Sequence, residues 1–331
     1  MDISSMKVAV IGVGIMGGNH ARVLSEISNL SAVCDQNSDR AREIGEKFSC
    51  RHYTSVDEML DREELDAVIV ATPTIYHLEE VEKCARRGID LLVEKPIADT
   101  VENGQRIIDI AEEAGIILVV GMIERHNPIV KATKEIIDKD GLGQIVTLTS
   151  KRVSNYPARI NDVGVITDLG VHDIDALRYL ASSEVKSVYA LGGSVKAKGL
   201  IDHANILLEF ENGSKGIMEV SWLTPMKLRQ VKVTGLKGYA EMDYIDQELK
   251  ISMSSAGKYD LSDNWRIPQN YDIKRMRVAM EEPLKRELVD FLEACSDPNN
   301  KPLVSGPDGL KDLEVAKAAE RSIETGEKVS L

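Results

Sequence analysis

The chain is short of basic residues, and this deficit limits the partners that it can bind. It contains 41 lysine and arginine residues against 54 aspartate and glutamate residues, which gives a formal net charge of -13. Because binding to a nucleic-acid backbone needs a basic field, nucleic acid is excluded as a general partner. One small anionic ligand in a local basic pocket remains compatible with this balance.

Cysteines are also few, and long apolar runs are missing. No CxxC or Cys/His ligand pattern is formed by Cys34, Cys50, Cys84 and Cys295. In a chain of 331 residues they are expected to be reduced thiols of a cytoplasmic protein, and no metal site is expected. No apolar run approaches the roughly 18 residues of a membrane span, and MDISSMKVAVIG is not a signal peptide, so no membrane partner is expected.

The first part of the chain alternates short apolar runs with amphipathic helical segments. The runs are KVAVIG (7–12), LSAVCD (30–35), LDAVIVAT (65–72), DLLVEKP (90–96) and IILVVGM (116–122). Runs that are apolar on both faces are typical of buried parallel strands. Residues 1–122 are therefore predicted to form an α/β domain with a doubly wound parallel sheet, the Rossmann type that binds dinucleotides.

From about residue 145 the pattern changes to strands in close succession. The turns ENGS and GLKG separate two pairs of them and are good hairpin signals, and helical segments follow at the C-terminus. Residues 123–331 are predicted to form an α+β domain with an open, mostly antiparallel sheet. This domain is expected to bind substrate and to oligomerise. Whether the C-terminal helices pack back on the first domain stays open.

A glycine-rich loop follows the first strand and opens the first helix. The loop residues predicted to bind a dinucleotide are Gly12, Gly14, Ile15, Met16 and Gly17. Gly12 permits a tight turn, Gly14 lets the backbone approach a pyrophosphate, and Gly17 lets the helix pack closely. Asp35 ends the second strand, where its carboxylate can accept ribose hydroxyls and repel a 2′-phosphate. NAD is therefore favoured over NADP, although Arg40 lies near enough to leave NADP open.

A second motif is VEKPIA, in which Glu94, Lys95 and Pro96 end the fourth of these strands. Ligands of open α/β sheets bind beyond the carboxyl ends of the strands. The nicotinamide end is therefore predicted to lie near Ala71, Thr72, Pro73, His77, Glu94 and Lys95. Lys95 can stabilise developing alkoxide charge during hydride transfer. The alternative is a surface lysine paired with Glu94, and the Lys95–Pro96 bond can be cis.

A third motif is TDLGVHDIDAL, residues 167–177. On a continuous helix, Asp168, His172 and Asp175 share one face. Oxidation of an alcohol needs a proton acceptor, and histidine suits this role near neutral pH. Asp168 can orient the ring. The alternative is an ordinary polar helix face, and the role of Asp175 stays open.

In this order, GVGIMG, EKP and DLGVHDID resemble the Gfo/Idh/MocA family of sugar and cyclitol oxidoreductases, and the C-terminal SGPDGLKDLEVAKAAERSIETGEKVSL is also similar. The resemblance covers essentially the whole chain. It implies a Rossmann domain, a substrate between the two domains, and a second sheet that makes homodimer or homotetramer contacts. By position it assigns Lys95, Asp168 and His172 to the reacting hydroxyl. One departure is that residues 161–167 are not the usual glycine-rich run.

Further substrate contacts are expected at the domain junction and before the third motif. The candidates are Arg125, Asn127, Arg152, Tyr156 and Arg159, and Lys151, Arg152 and Arg159 are expected to form a local basic cluster. The alternatives are a junction turn and a solvated loop. The segment from KRVSNYPAR through DLGVHDIDALRYL looks most similar to family members that oxidise the 3-hydroxyl of UDP-N-acetylglucosamine. A free sugar or myo-inositol dehydrogenase is the alternative, and a non-catalytic NAD-binding sensor is the alternative from another class. His20, on the first helix, is expected to pack.

Overall fold

The computed structural model describes residues 2–157, 163–254, 271–297 and 299–331. These residues divide into two compact units. The first unit comprises Met1–His126 and Glu281–Glu314, and the second comprises Asn127–Met280 and Val315–Leu331. The division after His126 falls four residues beyond the predicted domain boundary. The C-terminal segment from Glu281 to Glu314 belongs to the first unit.

The first unit alternates strands with helices from its beginning. Its elements are β1 (Lys7–Ile11), α1 (Ile15–Ile27), β2 (Asn29–Cys34), α2 (Ser38–Phe48), β3 (Arg51–Tyr53), α3 (Val56–Arg62), β4 (Ala67–Val70), α4 (His77–Ala85), β5 (Asp90–Val93), α5 (Val101–Ala114) and β6 (Leu118–Val120). Short 3₁₀ turns cover Ile3–Ser5, Thr74–Tyr76 and Ile123–His126. Side chains of Asn37, Ser55 and Thr100 cap helices α2, α3 and α5.

The six strands of this unit form one parallel sheet in the order β3-β2-β1-β4-β5-β6. Apart from the exposed Lys7 at the start of β1, the central strands β1 and β4 are apolar on both faces and buried, as the sequence predicts for a doubly wound sheet. Strand β3 was not predicted, because Arg51 and His52 are exposed polar residues at the sheet edge and form no apolar run. Lys95 consequently follows the fifth strand rather than the fourth.

The second unit contains the remaining strands and two complete helices. Its elements are α6 (Pro128–Asp138), β7 (Ile145–Val153), a π-helical turn (Ile166–Gly170), α7 (Val171–Ala181), β8 (Val185–Gly193), β9 (His203–Phe210), β10 (Lys215–Ser221), β11 (Leu228–Gly235), β12 (Gly238–Asp243), β13 (Glu248–Ser254) and β14 (Tyr271–Arg277). The chain then forms α8 (Pro283–Ser296) in the first unit, α9 (Gly306–Thr325), which begins in the first unit and ends in the second, and β15 (Val329–Ser330).

Nine strands of the second unit form one sheet in the order β14-β13-β12-β11-β7-β10-β9-β8-β15. The β7–β10 pair is parallel, and the other neighbours among the described strands are antiparallel, so the prediction of a mostly antiparallel sheet is confirmed. The turn before β10 contains Gly213, whose φ of 88° suits the predicted hairpin. Helix α7 buries Ile174 and Leu177 against the core of this unit.

Candidate active site

Each glycine of the loop after β1 meets a different environment. A Cβ atom on Gly12, whose φ is 82°, would lie 2.7 Å from the main-chain nitrogen of Thr72, so the loop passes directly against the end of β4. A Cβ atom on Gly17 would lie 1.8 Å from the carbonyl oxygen of Gly12. A Cβ atom on Gly14 would meet nothing within 4 Å. The chain's own packing therefore requires Gly12 and Gly17, whereas Gly14 borders open space.

The open space beside Gly14 lies at the N-terminus of α1. Gly14 is the N-cap residue, and no side chain caps this end of the helix. The first-turn residues Ile15 and Met16 are 65% and 36% exposed. Uncapped N–H groups and the positive end of the helix dipole form a site for phosphate groups. The loop therefore fits the pyrophosphate of a dinucleotide at the residues that the motif predicts.

Asp35 lies immediately beyond β2 and accepts a main-chain hydrogen bond from the glycine loop. Its Oδ2 accepts the Val13 N–H at 2.8 Å, and its Oδ1 accepts the Asn37 N–H at 2.9 Å. An ionised carboxylate has about four acceptor positions, so both oxygens can accept further hydrogen bonds. The Asp35 carboxylate is thus held at the loop, where its oxygens can accept hydrogen bonds from ribose hydroxyls.

Arg40 braces the same loop with its guanidinium group. Its Nε donates to the Val13 carbonyl at 2.7 Å, and its Nη2 donates to the Gly14 carbonyl at 3.3 Å. Its Nη1 donates to Glu43 at 2.8 Å. These contacts use one N–H of each guanidinium nitrogen and hold the side chain against the loop.

The residues after β4 meet the end of β5 through a buried histidine. The ring of His77 lies 3.0 Å from the Thr72 carbonyl and 3.2 Å from the Ile97 carbonyl. Burial lowers the pKa of His77, and the carbonyls offset only part of this effect. His77 therefore ties the two loops together from inside the unit. Within the described part of the chain, Thr72 Oγ1 is buried and makes no hydrogen bond.

Glu94 and Lys95 follow β5 at the same edge of the sheet. The Lys95–Pro96 bond is cis. Glu94 is buried, its Oε1 lies 2.8 Å from Nε2 of His20, and its Oε2 accepts the Lys95 N–H at 3.1 Å. Burial raises the pKa of Glu94, but the contacts with His20 and Lys95 outweigh it and hold the pKa below its ordinary value. The Lys95 side chain is half-buried.

The contact between His20 and Glu94 was missed by the sequence analysis. His20 is fully buried, as expected for a packing residue, yet it makes a polar contact with a residue 74 positions away. A histidine three residues after Gly17, on the face of α1 that turns to the sheet, is the signal that could have revealed it. Position alone could not identify its partner.

Arg125 and Asn127, the residues at the domain junction, each make hydrogen bonds within their own unit. Arg125 is 6% exposed and donates to the Leu303 carbonyl at 3.1 Å and to Asp308 at 3.2 Å, both within the first unit. In the second unit, Asn127 is the N-cap of α6 and also accepts a hydrogen bond from Gln247 at 3.1 Å. These contacts favour the alternative of a junction turn over the expected substrate contacts.

The third motif is not one regular helix. Asp168 lies in the π-helical turn Ile166–Gly170, and His172 is the second residue of α7. The expectation of one continuous helix through Asp168 and His172 is wrong in this detail, because the Val171 N–H donates to the Ile166 carbonyl five residues back. Asp168 and His172 are half-buried, whereas Asp175 is fully buried.

The basic cluster expected around residues 151–159 is divided by the strand β7. Lys151 and Arg152 point to opposite faces because side chains alternate along a strand. Lys151 pairs with Glu219 at 2.9 Å on the outward face, and Arg152 is 1% exposed and donates to Asp173 at 2.7 Å. The described part of the cluster is therefore not a joint anion site. Arg159 lies outside the described residues.

Tyr156 lies just beyond β7 in an aromatic contact. Its ring meets Trp222 edge-on, with centroids 5.8 Å apart, and the amine of Lys196 lies 4.8 Å from the Tyr156 ring centroid. The Tyr156 side chain remains half-buried. The exposed part of the Tyr156 ring can meet a ligand. The contact with Lys196 was not predicted from the sequence.

Comparison with known proteins assigns this arrangement to a family. A profile described as an oxidoreductase family with an NAD-binding Rossmann fold, GFO_IDH_MocA, matches residues 6–122, and the GFO/IDH/MocA C-terminal domain matches residues 130–241. The UDP-N-acetylglucosamine 3-dehydrogenase of Acidithiobacillus ferrooxidans is 31% identical over 292 residues, which are 88% of this chain and 89% of that protein. The chain belongs to the Gfo/Idh/MocA family.

Other members of the Gfo/Idh/MocA family are similarly close. The myo-inositol 2-dehydrogenase of Thermotoga maritima is 28% identical over 339 residues, which are 98% of each chain. A solved structure of the Acidithiobacillus ferrooxidans enzyme superposes with a TM-score of 0.87 at 29% identity, covering 97% of this chain and 98% of that one. The predicted family, fold class and oxidoreductase activity are confirmed, and the first unit is of the NAD-binding type.

The cysteines of this Gfo/Idh/MocA chain are thiols in its interior or partly buried. Cys34, Cys50, Cys84 and Cys295 are free, and burial raises the pKa of Cys34 and Cys84 to about 12. Within the described ranges, no group of three or more histidine, cysteine or acidic side chains could hold a metal ion. No helix among the described residues is long and apolar enough to span a membrane.

Proposed function

We propose that the chain is an NAD-dependent dehydrogenase that oxidises a ring hydroxyl of a sugar or polyol. The observation that carries this proposal is the position of Lys95, directly after β5, with its N–H on the buried Glu94 carboxylate. Ligands bind at this edge of a doubly wound sheet, where the glycine loop also lies. A bound nicotinamide would supply the hydride acceptor for the carbon that carries the hydroxyl.

The chain's own residues supply positioning and proton transfer. Lys95 is proposed to donate a hydrogen bond to the reacting oxygen, which stabilises negative charge as the hydride leaves the carbon. His172 is proposed to take the hydroxyl proton, so that the alcohol loses one hydride and one proton and becomes a carbonyl. Asp168 is proposed to orient the imidazole and stabilise its charged form.

NAD is proposed as the cofactor rather than NADP. The Asp35 carboxylate is held at the glycine loop by Val13, and its charge repels a 2′-phosphate. Arg40, the residue that left NADP open, has its guanidinium nitrogens on two loop carbonyls and Glu43. Both observations favour a ribose with free hydroxyls.

The first candidate substrate is a nucleotide sugar of the UDP-N-acetylglucosamine type, oxidised at the 3-hydroxyl. The relative from Acidithiobacillus ferrooxidans supports it, as does the half-buried ring of Tyr156 beneath the Lys196 amine, a pair suited to a ring and a phosphate. Arg152 does not support it, because its guanidinium is buried against Asp173. Arg125 is likewise engaged with Asp308.

The second candidate substrate is a free sugar or myo-inositol. The Thermotoga maritima myo-inositol 2-dehydrogenase supports it, since that relative matches over nearly the whole chain. The loss of the expected basic cluster also favours a substrate without phosphate groups. A non-catalytic NAD sensor would not need Lys95 or His172, and both are present.

A homodimer or homotetramer through the second unit's sheet is proposed as the assembly. Leu207 and Ile217 lie opposite each other on β9 and β10, are 50% and 44% exposed, and face away from the core of this unit. Leu191 on β8 is 59% exposed. Apolar side chains grouped on one sheet face are typical of a subunit interface. The free thiols agree with the expected cytoplasmic location.

A thermal-shift screen tests the substrate class. The protein is heated with NAD alone and with NAD plus UDP-N-acetylglucosamine, UDP, glucose or myo-inositol, because a ligand of the native state raises its apparent stability. A shift with UDP-N-acetylglucosamine that exceeds the shift with UDP is expected. A shift with myo-inositol alone supports the second candidate. No shift with any sugar or polyol, together with no reduced nicotinamide formed in the absence of a keto-acid and no 2-hydroxyglutarate formed when 2-oxoglutarate is added to reoxidise the cofactor, contradicts the proposed function.

A further inference from the structure

The buried pair of His20 and Glu94 joins two parts of the first unit that the sequence separates. His20 lies on α1, one turn after the last glycine of the cofactor loop, and Glu94 lies between β5 and Lys95. Nε2 of His20 and Oε1 of Glu94 are 2.8 Å apart, and neither side chain is more than 10% exposed. The contact therefore lies in the interior, at the sheet edge that carries Lys95.

Glu94 uses its two oxygens for two different purposes. Oε1 faces His20, and Oε2 accepts the main-chain N–H of Lys95 at 3.1 Å. A Cβ atom on Gly121 would lie 3.3 Å from the Glu94 Cδ atom, so β6 also closes over the carboxylate. The carboxylate is thereby confined on three sides. A change at His20 is transmitted through this rigid group to the backbone of Lys95.

The protonation of the pair follows from the charge of Glu94. Its contacts hold the pKa of Glu94 below the ordinary value despite burial, so the carboxylate is ionised at neutral pH. An ionised carboxylate only accepts hydrogen bonds, so Nε2 of His20 carries the proton and donates. Nδ1 of His20 has no hydrogen-bond partner among the residues that the structure describes. The hydrogen bond to Glu94 is therefore the polar interaction that this ring makes among the described residues, and an apolar side chain could not make it.

We propose that His20 is a positioning residue for Lys95, acting through the Glu94 carboxylate. It links the helix whose N-terminus forms the cofactor loop to the main chain of the proposed catalytic lysine. The lysine is thereby held in one orientation relative to the loop. This inference rests on the role of Lys95 in the proposed function.

Hydrogen exchange at the Lys95 amide tests the link without substrate or cofactor. Glutamine can place an N–H where Nε2 of histidine lies, whereas methionine fills similar volume without a donor. His20→Met is expected to speed exchange of the Lys95 amide by about tenfold or more, and His20→Gln to restore most of the protection. Tyr53→Phe is the matched control, because it removes another buried hydrogen bond to a carboxylate, Glu63, in the same unit. It should leave the Lys95 amide unchanged.

Turnover separates this inference from the proposed function. With NAD and whichever of UDP-N-acetylglucosamine or myo-inositol the wild type oxidises, His20→Met is expected to lower kcat by about 10²-fold with little change in the KM for NAD. His20→Gln should stay near wild type. Equal exchange and equal kcat in the Met and Gln variants overturn the positioning role. If Lys95→Met turns over normally, the proposed function fails instead, while the exchange result still decides whether His20 holds the Lys95 backbone.

Discussion

The two units differ in how well the sequence indicates where their site residues lie. In the first unit, the glycine loop lies within residues 12–17, where packing requires Gly12 and Gly17 and Gly14 borders open space. In the second unit, Arg152 pairs with Asp173 in the interior, and Asp168 lies on a π-helical turn. A loop motif thus indicates where a ligand binds, whereas a charged residue on a strand does not indicate which face it takes.

Replacing Arg152 with methionine tests this contrast most strongly. Because the buried Asp173 carboxylate would lose the charge-assisted hydrogen bond from Arg152, we expect a loss of about 3–5 kcal/mol in the free energy of unfolding, measured with urea. Lys151→Met is the matched control on the opposite face, where an exposed ion pair with Glu219 contributes less than about 1 kcal/mol. An Arg152→Met protein of normal stability that binds UDP-N-acetylglucosamine poorly would reverse our interpretation.

The units are also expected to differ in their response to acid. In the first unit, burial, together with the charge of Arg125, lowers the pKa of His126 to about 4. The unfolded chain binds this proton below about 6.5 and the folded chain only below about 4, so the free energy of unfolding falls across this window, by roughly 3 kcal/mol at its lower end. His126→Gln should flatten this dependence.

In the second unit, the buried Asp202 responds at lower pH. Burial raises its pKa, but His203 and the N–H groups of Val195, Lys196 and Ala197 lower it to about 2. Its stabilising effect is lost only as the pH falls from about 3.8 towards 2. Hydrogen exchange resolved by peptide between pH 7 and 4 should show the first unit opening earlier. Identical acid profiles for wild type and His126→Gln would contradict this assignment.

Gly14→Ala should separate ligand binding from folding. Its Cβ atom meets open space, so the melting temperature should stay unchanged, while the methyl group should weaken NAD binding about tenfold, or about 1.4 kcal/mol. Gly17→Ala is the contrasting variant, because its Cβ atom would overlap the Gly12 carbonyl and should destabilise the unit. Titration calorimetry and thermal unfolding measure the two effects. Unchanged NAD binding in Gly14→Ala would contradict the placement of the pyrophosphate beside Gly14.

Asp35→Asn should have the smallest effect of these changes. The amide keeps one oxygen as an acceptor but removes the charge that repels a 2′-phosphate. A charge interaction of about 1 kcal/mol, as for two unit charges about 4 Å apart in bulk water, predicts a shift of about fivefold in kcat/KM towards NADP. Kinetics with each cofactor measure this ratio, and Asp39→Asn, at an exposed position on α2, serves as the control. An unchanged ratio would show that Asp35 does not select the cofactor.

The sequence predicted local features well and long-range pairs poorly. The parallel sheet, the glycine loop and the hairpin turns depend on apolar periodicity and backbone freedom, which neighbouring residues reveal. The edge strand β3 escaped because Arg51 and His52 form no apolar run. The pairs His20–Glu94 and Arg152–Asp173 span 74 and 21 positions, so only the folded chain brings them together.

The sequence also could not show the π-helical turn before α7. A π turn differs from an α-helix by one extra residue in the hydrogen-bonded ring, and side-chain patterns over residues 166–177 fit either. The buried carboxylate of Asp175 shows the same limit. Its spacing from His172 suggested a shared polar face, yet it is fully buried. Burial depends on what packs against the helix, which spacing does not specify.

We propose that Lys95 and His172 act on the same hydroxyl. The most direct measurement is the rise in absorbance of reduced nicotinamide in a single turnover of NAD-loaded protein with the substrate found by the screen. Wild type should form reduced nicotinamide, whereas Lys95→Met and His172→Asn should each react about 10²- to 10³-fold more slowly while binding NAD normally. A wild-type rate in either variant would contradict the account.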